Sequence, residues 1–271
     1  MSAYMNNDGE RVVAERYQSS EHSYLIYLFH IATYRFSMPY VTGKSVLDFG
    51  CGTGYGTHLV SNASLSVTGV DISTDAIMYA TARYPGPNIT FQAVNKVESE
   101  QLPFSDNQFD VVLSFQVIEH VTDTRAYLDE VYRVLQPGGV FIIATPDRTS
   151  RLFPLQKPWN IFHVHEYDET HLRSLLESRF RDIDSYTMSG KDQIICMELS
   201  RTKRLRFITL PFTFPGAPEW LRLGGLRLLR FLNDRRTKQT GNVHEFEFDE
   251  RHIYIGKDLA PSVNLIAVAK K

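Results

Sequence analysis

Val46-Leu-Asp-Phe-Gly-Cys-Gly-Thr-Gly-Tyr-Gly56 is the stretch on which the reading of this chain turns. A short apolar run ends in Asp48, glycines follow at positions 50, 52, 54 and 56, and Thr57-His-Leu-Val60 reads as the start of a helix. That is the order of a buried strand, a tight turn and a helix N-terminus. Glycine belongs where a backbone takes positive φ or comes close to a ligand. Asp48 falls at the strand's C-terminal edge, where a buried carboxylate suits a ligand carrying an ammonium group. A dinucleotide fingerprint would read Gly-x-Gly-x-x-Gly, and a phosphate-binding loop would carry a lysine. The stretch has neither pattern. The remaining alternative is a turn with only a packing role.

Outward from this stretch, strands and helices alternate. Leu65–Val70 reads as a second strand ending in Asp71, and Ser73 can cap a helix over 74–83. Strands follow at 89–94 and 109–115. Thr122 can cap a helix running to Leu135, Pro137-Gly-Gly139 turns the chain, and 140–144 is a fifth strand. Asp168 or Thr170 opens a helix to about Ser178, and Asn264–Ala269 is the last strand. The alternation predicts an α/β fold, with a parallel sheet, helices on both faces and a ligand at the strand C-terminal ends. Ahead of it, Glu21–Met38 carries Leu25, Leu28, Phe29, Ala32 and Phe36 at helical spacing and stops near Pro39. With Glu15-Arg-Tyr17 it reads as an N-terminal cap.

The tail departs from the pattern. Residues 201–238 hold ten basic residues, among them Arg235, Arg236 and Lys238, against the acids Glu219 and Asp234, with aromatic and aliphatic residues interleaved. The chain therefore divides into a helical cap over 1–40, a core over 41–200, an insertion or lid over 201–245 and a return to the core sheet over 246–271. The insertion is either a platform for a membrane surface or anionic substrate, or a lid packing its apolar face on the active site or on a second subunit.

Composition sets the bounds. The 271 residues are 43% hydrophobic and 22% charged, with a net charge of −2, so no global field favours nucleic acid. Two cysteines, Cys51 and Cys196, supply neither a disulfide framework nor a zinc pattern. No apolar run approaches a membrane span and no signal-peptide pattern is visible, so the expected location is cytoplasmic.

The residues from Val41 to Phe180 resemble the class I S-adenosylmethionine-dependent methyltransferases. Val46–Gly54 is similar to that family's first motif, and Gly69-Val-Asp-Ile-Ser73 to its second strand end. Leu102–Val112 and Leu135–Ile143 are similar to its later signatures. The resemblance implies a Rossmann-like, seven-stranded, mostly parallel sheet whose last strand is antiparallel, with S-adenosylmethionine as cofactor. It implies that Asp48 sits near the methionyl ammonium and that Gly50, Cys51, Gly52 and Gly54 form the cofactor loop. Asp71 would take both ribose hydroxyls, Ile72 would pack on adenine, and Gln116 would line the methionyl side. Relatives place an acid after the third strand to read the adenine amino group. That segment is longer here, and Asn95 or Glu98 takes the place.

The cofactor brings the reactive methyl, so the protein mainly aligns it, and a hydroxyl acceptor must also lose a proton or be held by a metal. Two clusters offer the groups: Gln116-Val-Ile-Glu119-His120 and Phe162-His163-Val-His165-Glu-Tyr167. Some relatives, small-RNA 2′-O-methyltransferases and quinone-pathway O-methyltransferases among them, bind a divalent metal through Glu-x-x-Glu-His and a distant histidine. Glu119, His120 and His163 match three of those ligands, and Gln116 replaces the fourth. The other functional reading makes His163 or His120 a general base. The plain alternative has Glu119 and His120 capping the next helix and the paired histidines on a surface loop.

Glu21-His22, Thr33-Tyr-Arg-Phe36, Val41–Lys44 and Phe162–Tyr167 resemble bacterial methyltransferases encoded with glycan assembly enzymes. That implies a sugar hydroxyl as acceptor. The alternatives are a quinone-like small molecule, an RNA hydroxyl, or a cofactor-binding protein without turnover.

Overall fold

A computed structural model of the chain describes residue 17 and residues 20–97, 100–234 and 246–271. Glu15, Arg16, the adenine candidate Glu98, and the basic residues Arg235, Arg236 and Lys238 lie outside the described residues.

Five strands form the first part of the sheet: β1 (Ser45–Phe49), β2 (Ser66–Asp71), β3 (Ile89–Ala93), β4 (Phe109–Phe115) and β5 (Leu135–Pro146). They pair in parallel in the order β3-β2-β1-β4-β5. The order reverses between β1 and β4, and there the C-terminal strand ends leave a crevice. The sheet continues through β8 (Asn264–Lys270), β6 (Arg181–Gly190) and β7 (Ile253–Gly256). β8 runs antiparallel to both β5 and β6, as the family resemblance implies for the last strand. The sheet has eight strands instead of the expected seven. The addition is β7, a four-residue strand that among the described residues pairs with β6 alone and carries too short a pattern to be read locally.

Helices cover both faces: α1 (Glu21–Val41), α2 (Tyr55–Ser61), α3 (Thr74–Arg83), α4 (Thr124–Val134), α5 (Arg148–Arg151) and α6 (Glu169–Glu177), then α7 (Asp192–Thr213) and α8 (Glu219–Asp234). Successive residues of a strand point to opposite faces, and the central strands are apolar throughout because both faces are covered. Leu47, Val112, Phe141 and Ile143 pack with Tyr127, Leu176 and Phe180 on one side. Val46, Val111, Leu113 and Ile142 pack with Leu25, Leu28 and Phe29 of α1 on the other.

Several boundaries move from their sequence positions. α1 passes Pro39 and ends at Val41, because a proline in the last turn removes a single hydrogen bond. α2 begins at Tyr55, two residues before Thr57, with Gly54 as a left-handed N-cap. Ser73 caps α3 and Asp168 caps α6 as expected, but α4 is capped by Asp123 and not by Thr122. The Asp123 carboxylate accepts from the backbone N–H groups of Arg125 and Ala126. Pro137–Gly139 lies within β5 at an irregularity in its pairing with β4. α7 runs unbroken across residues 200 and 201.

Candidate active site

The glycine loop joins β1 to α2 at the crevice. Gly50, Gly52 and Gly54 have φ of 90°, 55° and 81°, the left-handed region where side chains are strained. A Cβ on Gly50 would stand 2.3 Å from the Val117 side chain, whereas one on Gly52 would meet nothing within 4 Å. Gly52 thus presents open backbone on the crevice side. Asp71, at the end of β2, anchors this loop: its carboxylate accepts from Gly52 N at 3.0 Å and from Ser73 N at 2.8 Å. Ile72 beside it is half exposed, a bare apolar surface at the crevice edge. The loop, the anchored carboxylate and this apolar ledge fit a nucleoside with an aliphatic tail. Asn95 is exposed beyond β3 and donates its amide to Glu100 at 2.7 Å, which leaves its oxygen as the acceptor.

Asp48 is the buried carboxylate expected at the end of β1. It is 0% exposed and lies beneath the loop. Tyr34 of α1 donates to both carboxylate oxygens at 3.2 and 3.0 Å, and Thr57 of α2 donates to one at 2.6 Å. Burial pushes its carboxyl up to about 6, against the opposing pull of those hydrogen bonds. Tyr34 and Thr57 therefore belong to the site, although no local sequence signal tied them to Asp48. Cys51 is buried in the loop, and burial pushes its thiol well up.

Above the strand ends lies a cavity of about 850 Å³, lined by α1, the 159–163 loop, α7, α8 and the 116–120 turn. Gln116 lines it with φ of 59° and its backbone N–H bonded to Ala144. Glu119, His120 and His163 meet at this cavity, with one ligand atom of each within 4.8 Å of the others. Two segments more than forty residues apart in sequence thus converge. His165 is exposed, and its backbone N–H bonds the Glu119 carbonyl at 3.3 Å.

Each member of the cluster is fixed from behind. Thr145 donates to Glu119 at 2.9 Å. The Phe162 carbonyl lies 3.1 Å from His120 Nδ1 and can only accept, so Nδ1 carries the proton and the lone pair falls on Nε2. His163 Nδ1 lies 2.8 Å from Glu166, whose carboxylate is held by Arg151 at 3.0 and 3.2 Å. Burial alone would raise the Glu166 carboxyl, but Arg151 and His163 hold it down at about 2. The ionised Glu166 accepts from His163 and leaves that ring's lone pair on Nε2 as well. The helix-capping alternative for Glu119 and His120 does not hold, since Asp123 caps α4 and Glu119 is buried against Thr145. His163 is likewise buried and not a surface loop residue. Glu166 stands three residues from His163 in the quoted stretch, whereas Arg151 gave no signal in the sequence. Burial holds another cavity residue, His30, at about 4, and it bonds Tyr55 at 2.5 Å.

Residues 47–143, which hold the glycine loop, Asp71 and Glu119-His120, match the methyltransferase-domain family. Over that stretch the chain is similar to a methyltransferase domain of the S-adenosylmethionine-dependent kind. The cofactor of that domain is S-adenosylmethionine. A protein of Mycolicibacterium smegmatis named as a probable S-adenosylmethionine-dependent methyltransferase is 38% identical over 50% of this chain and 51% of its own length. A ubiquinone biosynthesis O-methyltransferase of Rhizobium rhizogenes is 36% identical over 40% of this chain and 44% of its own length. The chain thus spans about half the length of the curated relatives it matches. An S-adenosylmethionine-dependent methyltransferase structure from Thermotoga maritima superposes on 95% of this chain and 98% of its own, with a TM-score of 0.57 at 14% identity. At that identity the likeness speaks for the fold alone.

Proposed function

We propose that this chain transfers the methyl group of S-adenosylmethionine to a hydroxyl oxygen. The observation that carries the reading is the convergence of Glu119, His120 and His163 at one cavity, beside the turn that ends β4. In the transfer, an acceptor oxygen bonds the methyl carbon as the carbon–sulfur bond breaks, and the hydroxyl proton leaves. Asp71 and the glycine loop hold the cofactor, and the cavity walls hold the acceptor in line. Nε2 of His163 is positioned to receive the proton, because Glu166 fixes the ring tautomer.

The same donor set fits a divalent cation, since one carboxylate and two imidazoles converge and each is oriented by a neighbour. When bound, such an ion supplies Lewis acidity at the acceptor oxygen. His163 has one lone pair on Nε2, so it either ligates an ion or accepts the proton. Chelation separates the two roles. Turnover lost in EDTA and restored by a divalent salt assigns the ligand role, and turnover indifferent to EDTA assigns the base.

The acceptor we favour is a sugar hydroxyl, on a glycan or lipid-linked glycan, in a cytoplasmic setting. Its support is the sequence resemblance of Phe162–Tyr167 and of the N-terminal pattern. A quinone-like phenol is the second reading, favoured by the similarity to a ubiquinone biosynthesis O-methyltransferase. Labelled S-adenosylmethionine offered with a sugar panel and a catechol panel tests both. Label appearing on neither class of hydroxyl would remove the oxygen-transfer reading.

A further inference from the structure

We propose that the outward face of the α7–α8 hairpin docks on a bilayer containing anionic lipid. A helix on the surface of a soluble domain normally turns apolar residues inward and polar ones outward. α8 carries apolar residues on both faces. Arg222, Gly225 and Leu226 are buried, while Trp220, Leu228 and Phe231 are 75%, 56% and 51% exposed. Positions 220, 224, 227, 228 and 231 recur at three- and four-residue intervals, so they form one stripe along the helix. α7 adds Phe207, Ile208 and Leu210, all exposed, and Phe214 follows at its end.

Lys203, Arg204 and Arg227 lie exposed among these residues. On the hairpin Arg201 is paired with Glu198 and Arg222 with Glu219, and Lys203, Arg204 and Arg227 make no ion pair with either acid. Large apolar side chains edged by uncompensated positive charge suit the headgroup boundary of an anionic leaflet, and an exposed tryptophan prefers that depth. A second copy of the chain is a poorer occupant, because a two-fold contact would set Lys203, Arg204 and Arg227 against their own copies. Among the described residues no helix is long and apolar enough to cross a membrane, so the contact is peripheral.

The same hairpin walls the cavity. Leu205, Ile208, Leu229 and Leu232 line it from α7 and α8 beside Arg204 and Arg230, and the exposed Ile208 and Leu232 make that apolar wall continuous with the docking face. An amphipathic acceptor would leave its apolar part at the leaflet and bring its polar head to Glu119, His120 and His163. This last step rests on the methyl-transfer reading, and the docking does not.

The test is vesicle binding by the full chain, without cofactor or acceptor, so that its failure is separate from failure of the methyl-transfer reading. Vesicles of phosphatidylcholine alone are compared with vesicles mixed with phosphatidylglycerol, at low salt. The expectation is co-sedimentation with the mixed vesicles, weaker by about tenfold or more without the anionic lipid. In a W159F background Trp220 is the sole tryptophan, and its emission should shift to the blue on binding. W220E/F231E should lower partition about tenfold or more with an unchanged thermal melt, since both side chains are exposed. R204Q/R227Q should lose the preference for phosphatidylglycerol. Absence of partition at low salt would overturn the proposal, as would partition indifferent to both double variants. So would a dimer that W220E/F231E disperses.

Discussion

Replacing Asp48 by asparagine tests the account of the loop at its most buried point. Asp48 is 0% exposed, and burial raises its carboxyl from 3.8 to about 6. A group whose folded value lies above its unfolded value favours the folded state below the unfolded value, and loses that favour as pH rises through the folded one. The rise at Asp48 corresponds to roughly 2–3 kcal/mol, most of which falls between pH 4 and pH 8. Urea unfolding of wild type and D48N at both pH values measures it. The stability of wild type relative to D48N should fall by roughly 2–3 kcal/mol from pH 4 to pH 8. Whatever the amide does to Tyr34 and Thr57 it does at each pH, and so it drops out of the comparison. A gap between the two proteins that stays constant to within about 0.5 kcal/mol would refute the reasoning. Cofactor titration under the same conditions reads the second role. If Asp48 also faces the methionyl ammonium, affinity in wild type should rise with pH through about 6 and stay flat in D48N.

Three further outcomes are expected. In G56A the new Cβ would stand 1.9 Å from the Tyr34 ring, so the variant should lose about 1–3 kcal/mol in urea unfolding. R151M leaves the buried Glu166 without its guanidinium partner and should lose about 3–5 kcal/mol, whereas an unchanged midpoint would mean that His163 alone satisfies the carboxylate. H163A should bind S-adenosylmethionine as wild type does by calorimetry and show no turnover, and wild-type turnover would end its catalytic role.

The fold was legible because its signals are local. The glycines at 50, 52 and 54, the strand ending in Asp71 and the apolar run at 109–115 each show their structure within a few residues. Where the reading missed, the deciding contact was distant or short. β7 is four residues pairing with β6, from which more than sixty residues separate it in the chain. Pro137–Gly139 looks like a turn until the neighbouring strand supplies its pairing. Thr122 and Asp123 are both sound caps, and only the packing of α4 selects the second.

By itself the sequence determined the α/β class, the glycine loop and the candidate cluster Glu119, His120 and His163, because residue type and spacing carry those signals. Tertiary structure decided which way each of those groups faces. It closed Asp48 beneath Tyr34, set Arg151 and Glu166 behind His163, and raised α7 and α8 over the cavity with apolar residues outward. The physical reason is that burial and hydrogen-bond partnership belong to the space around a side chain, and chain segments far apart in sequence fill that space.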